Sequence, residues 1–212
     1  MSRNHLLQTQ SVAEVLTRIK RRELPAVAVI FLPPALILAT APGLQGLATW
    51  MLATGAAALA ACVYFGYAVR SVYSRGIFAC IRQTTVSGAA VVDALGLITF
   101  RYVALPLILS LPIMVWNQFD PLAVSVAALW VTTLWAVAFF TAVFAAAQAT
   151  SADTRQTAFD CAVITLAYLS VLLLGPPSPA TPVLLAYVLL AAILVARHDF
   201  IAGFDNHPQL DV

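Results

Sequence analysis

Six long apolar stretches, separated by short polar breaks, constrain this chain more than any other feature. They cover about residues 25–41, 47–69, 97–117, 122–147, 159–175 and 182–196. A helix needs about 20 apolar residues to cross the bilayer core, and the first, fifth and sixth stretches are shorter than that. Only 9% of the residues are charged, whereas soluble domains carry about 25%. We therefore predict an all-α polytopic membrane protein with six transmembrane helices.

The basic residues all lie on one side of this predicted topology. With six spans, residues 1–24, 70–96, 148–158 and 197–212 share one side, and this side holds all 11 lysines and arginines if Arg101 snorkels to it. The positive-inside rule makes that side cytoplasmic, and Trp50 and Trp116 then fall near the outer ends of their spans, as an aromatic belt would. We expect three regions: a cytoplasmic N-terminal segment, a six-helix transmembrane domain and a cytoplasmic C-terminal tail, at 1–24, 25–196 and 197–212.

A basic amphipathic helix is predicted over residues 11–24, before the first span. Ser11 and Glu14 fit a capping box at its start. Apolar residues then recur at helical spacing, and the basic ones lie on the other side: Val12, Val15, Leu16 and Ile19 against Arg18, Lys20, Arg21 and Arg22. Such a helix can rest on anionic headgroups. The alternative is a topology signal with no further role.

A second amphipathic helix is predicted over 72–83, within the longest loop between spans, 70–96. Its apolar face holds Tyr73, Ile77, Cys80 and Ile81, and Arg75 and Arg82 share the opposite face. A turn follows at 84–88, and a new helix begins near Ala89 and leads into the third span. Two arginines facing water make this helix a candidate docking knob for a soluble partner. The alternative is a helix that is merely solvated on its polar face.

Side chains that could carry chemistry are sparse. Asp93 and Arg101 lie near the start of the third span, where ionisable residues are candidates for a transport pathway, although both are close enough to the cytoplasmic interface to be solvated there. No His or Cys pair has the spacing of a metal site, and the sequence has no P-loop and no catalytic motif. We expect no metal, no cofactor and no enzymatic activity in this chain.

The order of these segments resembles that of an ABC-2-type transporter permease. The stretch 75–81, RGIFACI, followed by 84–90, TTVSGAA, is similar to the coupling region of that family, although Ala79 stands where the family commonly has an acidic residue. The chain length and the run 105–110, LPLILS, resemble the heme exporter B permeases of cytochrome c maturation. The resemblance implies a bacterial inner-membrane protein that docks onto its partner through the coupling region: Arg75, Gly76, Ile77 and Arg82.

The resemblance also implies the partners. These are a second permease subunit, in a homodimer or heterodimer, and cytoplasmic P-loop ATPase subunits that drive a small molecule, lipid or heme-like substrate across the lipid bilayer. A rival hypothesis is a non-transporting structural or assembly subunit of a larger membrane complex, because the spans carry almost only Ser, Thr, Cys and Tyr as polar groups. The formal net charge of +2 gives no indication of a nucleic-acid partner.

Overall fold

The computed structural model describes residues 3–41, 43–70, 76–150 and 180–205, and every regular element in these residues is helical. The elements are, in chain order, α1 (Arg3–Ile19), α2 (Leu24–Val29), α3 (Leu32–Thr40), α4 (Leu44–Ala68), α5 (Phe78–Arg82), α6 (Gly88–Thr99), a π-helical turn (Phe100–Ala104), α7 (Leu105–Ile108), α8 (Leu111–Trp116), α9 (Pro121–Thr150) and α10 (Ala180–Asp205). The all-α prediction is confirmed for this part of the chain.

Four helices in the described residues are long and apolar enough to cross a membrane: Gln45–Ala68, Gly88–Trp116, Pro121–Gln148 and Tyr187–Asp205. A fifth candidate is a bent pair, in which α1 meets the α2–α3 segment at 90°. The first predicted span, 25–41, corresponds to α2 and α3. The predicted fifth span, 159–175, lies outside the described residues. The described residues therefore contain four to five candidate spans, and the count of six for the whole chain stays a prediction.

Contacts between the long helices fix their directions. α4 and α9 run parallel, because two α4 glycines lie against α9 residues at the same spacing: Gly55 on Trp130 and Gly66 on Thr141. α6 runs antiparallel to α9, as two contacts show: Gly96 on Phe139, and the ring of Phe100 at 5.8 Å from that of Trp135. The last turn of α10 packs on the start of α6. The ends of α4, α9 and α10 and the start of α6 therefore lie at one end of the bundle.

Two helices extend beyond the predicted spans at that end. α6 begins at Gly88, within one residue of the predicted start, and Ser87 caps it by accepting from the Ala90 N–H. α10 runs to Asp205, so residues 197–205 of the predicted C-terminal tail continue the helix of the last predicted span. Each extension adds about 13 Å of helix. We call residues 3–19, 78–82, 88–96 and 197–205, which pack together here, the base.

The N-terminal helix starts earlier than predicted. Ser11, expected to cap it, lies in the middle of α1, where its hydroxyl donates to the Leu7 carbonyl at 2.8 Å. The predicted capping box is therefore wrong. Two residues of the predicted apolar face, Val12 and Leu16, are buried, whereas the other two, Val15 and Ile19, are exposed. After α1 the chain turns, and a hydrogen bond from the Lys20 ammonium to the Glu23 carboxylate anchors this turn beside α2. The same hydrogen bond lowers the pKa of Glu23.

The two tryptophans expected in an aromatic belt have different environments. Trp116 is 86% exposed at the end of α8, where a belt residue would face lipid headgroups. Trp50 is fully buried in the core, so its assignment to the belt is wrong. Trp50 packs in the core because the neighbouring helices leave a space that its ring fills. Hydropathy along one segment of the chain does not predict such a space.

Candidate docking site at the base of the bundle

The short helix α5 presents two unlike faces. Phe78 and Ile81 are buried, and Ile77 is half-buried beside them. The opposite face is exposed and carries small or uncharged side chains: Gly76, Ala79, Cys80 and Gln83. The sequence placed Cys80 on the apolar face, and the structure exposes it. The helix is rotated from the predicted orientation because Phe78, the largest apolar residue of this segment, points into the base.

An aromatic cluster fastens α5 to the last turns of α10. The Phe78 ring lies edge-on to Phe200, with centroids 5.7 Å apart, and edge-on to Phe204 at 6.5 Å. Phe200 and Phe204 also contact each other at 5.4 Å. All three rings are at least 96% buried. Each edge-to-face aromatic pair contributes about 0.5–1.5 kcal/mol of stabilising free energy beyond the burial of its surface. The cluster therefore holds α5 firmly against α10.

Arg82, which the sequence predicted to face water, is only partly exposed. Its guanidinium carbon lies 5.0 Å from the centre of the Phe204 ring, in cation–π geometry. Its Nε is buried and has no hydrogen-bond partner among the described residues. This burial lowers the pKa of the Arg82 guanidinium, which nevertheless stays charged at physiological pH. Arg82 therefore covers the aromatic cluster, and it does not extend from the docking face.

The start of α6 is held by the end of α10. The Gly88 N–H donates to Asp205 Oδ1 at 3.0 Å, so a carboxylate from α10 satisfies one of the unpaired N–H groups at the start of α6. A negative charge is favourable at this position because the helix N-terminus carries partial positive charge. α5, α6 and α10 are thus connected through the aromatic rings and through this hydrogen bond.

The start of α1 is fastened to the same region. His5 Nε2 lies 2.8 Å from Asp93 Oδ2, and the Gln8 side-chain amide donates to the Thr85 carbonyl at 3.3 Å. His5 and Asp93 are 23% and 31% exposed. Asp93, a candidate pathway residue from the sequence, is therefore the acceptor that ties α1 to α6.

We predict a measurable coupling between His5 and Asp93. Their mutual contact should contribute about 0.5–1 kcal/mol to stability, because it is partly shielded from water and joins two separate helices. A double-mutant cycle with His5→Ala and Asp93→Ala, read by unfolding of the detergent-purified chain, measures this energy. The matched control is the cycle on His198 and Asp199, which lie 3.5 Å apart, with His198 83% exposed. Equal, near-zero couplings in both cycles would contradict the prediction.

The other predicted site residues lie apart from this cluster. Arg101 is exposed in the π-helical turn, with its guanidinium carbon 5.8 Å from the centre of the Tyr102 ring, and it does not meet Asp93. Arg75 lies outside the described residues. Within the described residues, no group of three His, Cys, Asp or Glu side chains is placed to hold a metal ion.

Sequence reasoning missed the residues that α10 contributes to the base. Phe200, Phe204 and Asp205 lie in the segment that was predicted to be a cytoplasmic tail. A signal for them was present, because Ala196, Phe200 and Phe204 recur every four residues and continue the apolar stripe of the last span.

No protein-family model, no curated protein and no solved structure matches this chain.

Proposed function

We propose that this chain is the membrane-spanning permease subunit of an ABC-type transporter of the bacterial inner membrane, working with a second permease subunit and a separate cytoplasmic ATPase. The observation that supports this most is the two-faced helix α5. Its inner face is locked to α10 by buried rings, and its outer face is exposed. A partner that pushes on the outer face would displace α5, α6 and α10 together, because closely packed contacts transmit displacement.

The docking chemistry we propose differs from the one that the sequence suggested. Arg82 is committed to Phe204, so the surface offered to an ATPase is formed by small and uncharged side chains. A partner would therefore recognise α5 by shape and apolar contact. Both termini lie in the cytoplasm in this proposal, since α1 and the end of α10 meet at the base.

The rival function, a non-transporting subunit of a larger complex, is favoured by a different observation. Hydroxyl groups within the described spans bond to their own helices: Thr132, Thr133 and Thr141 each donate to the carbonyl four residues earlier, at 2.8–2.9 Å. The protons of these hydroxyl groups are used within the helix and are not offered as donors to a substrate. Small residues and internal hydrogen bonds suit tight helix packing as well as they suit transport.

Cross-linking through Cys80 separates the two functions. Cys80 is exposed on the docking face and Cys62 is buried. A variant that keeps Cys80 as its one cysteine can therefore be labelled on that face with a thiol-reactive photo-cross-linker. In native membranes we expect it to capture a P-loop ATPase, with ATPase activity in the purified complex. A chain without native cysteines but with Gln10→Cys, at an exposed position on α1, is the control and should not capture it. Capture of a complex without an ATPase would refute the permease function.

A further inference from the structure

Arg101 lies near the middle of the membrane-spanning part of the bundle. The ring of Phe100, its neighbour in the chain, contacts Trp135, which is near the midpoint of the candidate span Pro121–Gln148. Arg101 is also next to the midpoint of its own candidate span, Gly88–Trp116, whose 29 residues leave about 20 Å of helix on either side. The sequence predicted that Arg101 snorkels to the cytoplasmic side, but its side chain is too short to reach the base from this depth.

The Arg101 side chain interrupts an exposed apolar stripe. Leu97, Leu105 and Leu109 are 45%, 41% and 67% exposed, and their spacing of four residues places them on the same face as Arg101. Arg101 is itself exposed, with its guanidinium carbon 5.8 Å from the centre of the Tyr102 ring. An uncharged ring attracts a cation but does not neutralise it. This face of the span is therefore apolar along its length and charged at its centre.

Lipid chains alone do not suit a charge at this depth. A guanidinium stays charged in proteins. Ionisable residues within membrane-spanning segments almost always face protein or a water-filled cavity, where they pair with other groups. Arg101 forms no ion pair with a carboxylate in the described part of the chain. Its turn is π-helical, a rare form that is frequent at functional sites. The face around Arg101 therefore needs a neighbour that brings a negative charge.

The carboxylates that the structure describes all lie near the ends of the bundle. Those at or beside the base are Glu14, Glu23, Asp93, Asp199 and Asp205, and Asp120 precedes α9 at the opposite end. The sequence predicts Asp153 and Asp160 at the cytoplasmic end of the fifth span, and Asp211 follows the last helix. A second copy in a symmetric dimer would place the same groups at the same depths and would add another Arg101. Charge complementarity thus favours a different chain.

We propose that the face formed by Leu97, Arg101, Leu105 and Leu109 binds a transmembrane helix of a different chain, which carries an aspartate or glutamate near the middle of its span. This carboxylate accepts from the parallel N–H donors of the guanidinium, and apolar side chains of the partner cover the leucines. The proposal holds for the permease and for the rival function alike, because it does not use the docking face of α5. In a permease it makes the second subunit a different protein, as in a heterodimer.

Photo-cross-linking from Leu105 in native membranes tests the proposal. With benzoylphenylalanine at this position, we expect capture of one membrane protein that mass spectrometry identifies as having a carboxylate in the middle of a span. Arg101→Leu should reduce this capture at least about tenfold, a factor that corresponds to about 1.4 kcal/mol, and Arg101→Lys should retain part of it. The matched control is the same cross-linker at Leu59, which is 68% exposed at the same depth on α4 and should not capture that protein.

Two further measurements keep the test decisive. Arg101→Glu should abolish capture, and an arginine in place of the partner's carboxylate should then restore it. Arg101→Leu should leave the unfolding temperature of the isolated chain in detergent unchanged, so that lost capture is not misfolding. Capture of a second copy of this chain would overturn the proposal. So would capture of no protein, as expected if lipid or a transported anion occupies this face, and so would equal capture with Arg101→Leu, failure of the charge exchange or a lower unfolding temperature for Arg101→Leu.

Discussion

Replacing Phe78 by alanine is expected to release α5 from the base and to lower the free energy of unfolding by about 3 kcal/mol. The Phe78 side chain is 1% exposed and contacts two other rings edge-on, so the substitution removes burial, aromatic contact and the support of α5 at once. Buried Phe→Ala substitutions cost about 3–5 kcal/mol, and the lower end applies because a five-residue helix at the surface can relax. Denaturant unfolding of the detergent-purified chain measures the loss.

The control for Phe78→Ala is Leu194→Ala, on the exposed side of α10. Leu194 is 54% exposed, so its removal should change stability by less than about 0.5 kcal/mol. Hydrogen exchange gives a second readout, since Phe78→Ala should increase exchange in α5 and in the last turns of α10 while α4 stays protected. If Phe78→Ala is no more destabilising than Leu194→Ala, the aromatic joint does not hold the base together.

Gly88→Val is expected to separate the start of α6 from the end of α10 and to destabilise the chain by about 2 kcal/mol. A Cβ at Gly88 would lie 3.1 Å from Asp205 Oδ1 and 3.3 Å from both the Ile201 Cα and the Phe204 Cβ. The Ile201 Cα belongs to the helix backbone and cannot rotate away, so the two helices must move apart. Such overpacking costs about 1–3 kcal/mol, and here it also breaks the bond between the Gly88 N–H and Asp205.

The same substitution at Gly76 is the matched control. A Cβ at Gly76 meets nothing within 4 Å, so Gly76→Val should change stability by less than about 0.5 kcal/mol. Thermal unfolding in detergent, compared between the two valine variants, measures the difference. Gly88→Ala should fall between Gly88→Val and the wild type, because its single methyl group meets the same atoms without the branch. Equal unfolding temperatures for Gly76→Val and Gly88→Val would contradict the close approach of α6 and α10.

The orientation of α5 illustrates what a helical wheel leaves open. Ile77 and Ile81 were assigned correctly to the inner side, but Cys80 is outside and Arg82 is over a ring. A helical wheel groups residues by polarity. The orientation of a five-residue helix depends instead on which of its side chains is buried most deeply in a pocket between neighbouring helices. Phe78 finds it between Phe200 and Phe204, and Arg82, one turn later, follows to the same side. The pocket lies on α10, more than 100 residues away in sequence, so no pattern near Phe78 predicts it.

The sequence by itself determined that the described part of the chain is all-α and where most of its long apolar helices, the candidate membrane spans, lie. These properties follow from the transfer of each segment between water and lipid, which depends on local composition. The tertiary structure alone decided that the end of α10 is part of the base, that Trp50 is core and that Arg82 covers an aromatic cluster. Contacts between helices decide such features, because a side chain's environment is set by neighbours distant in sequence.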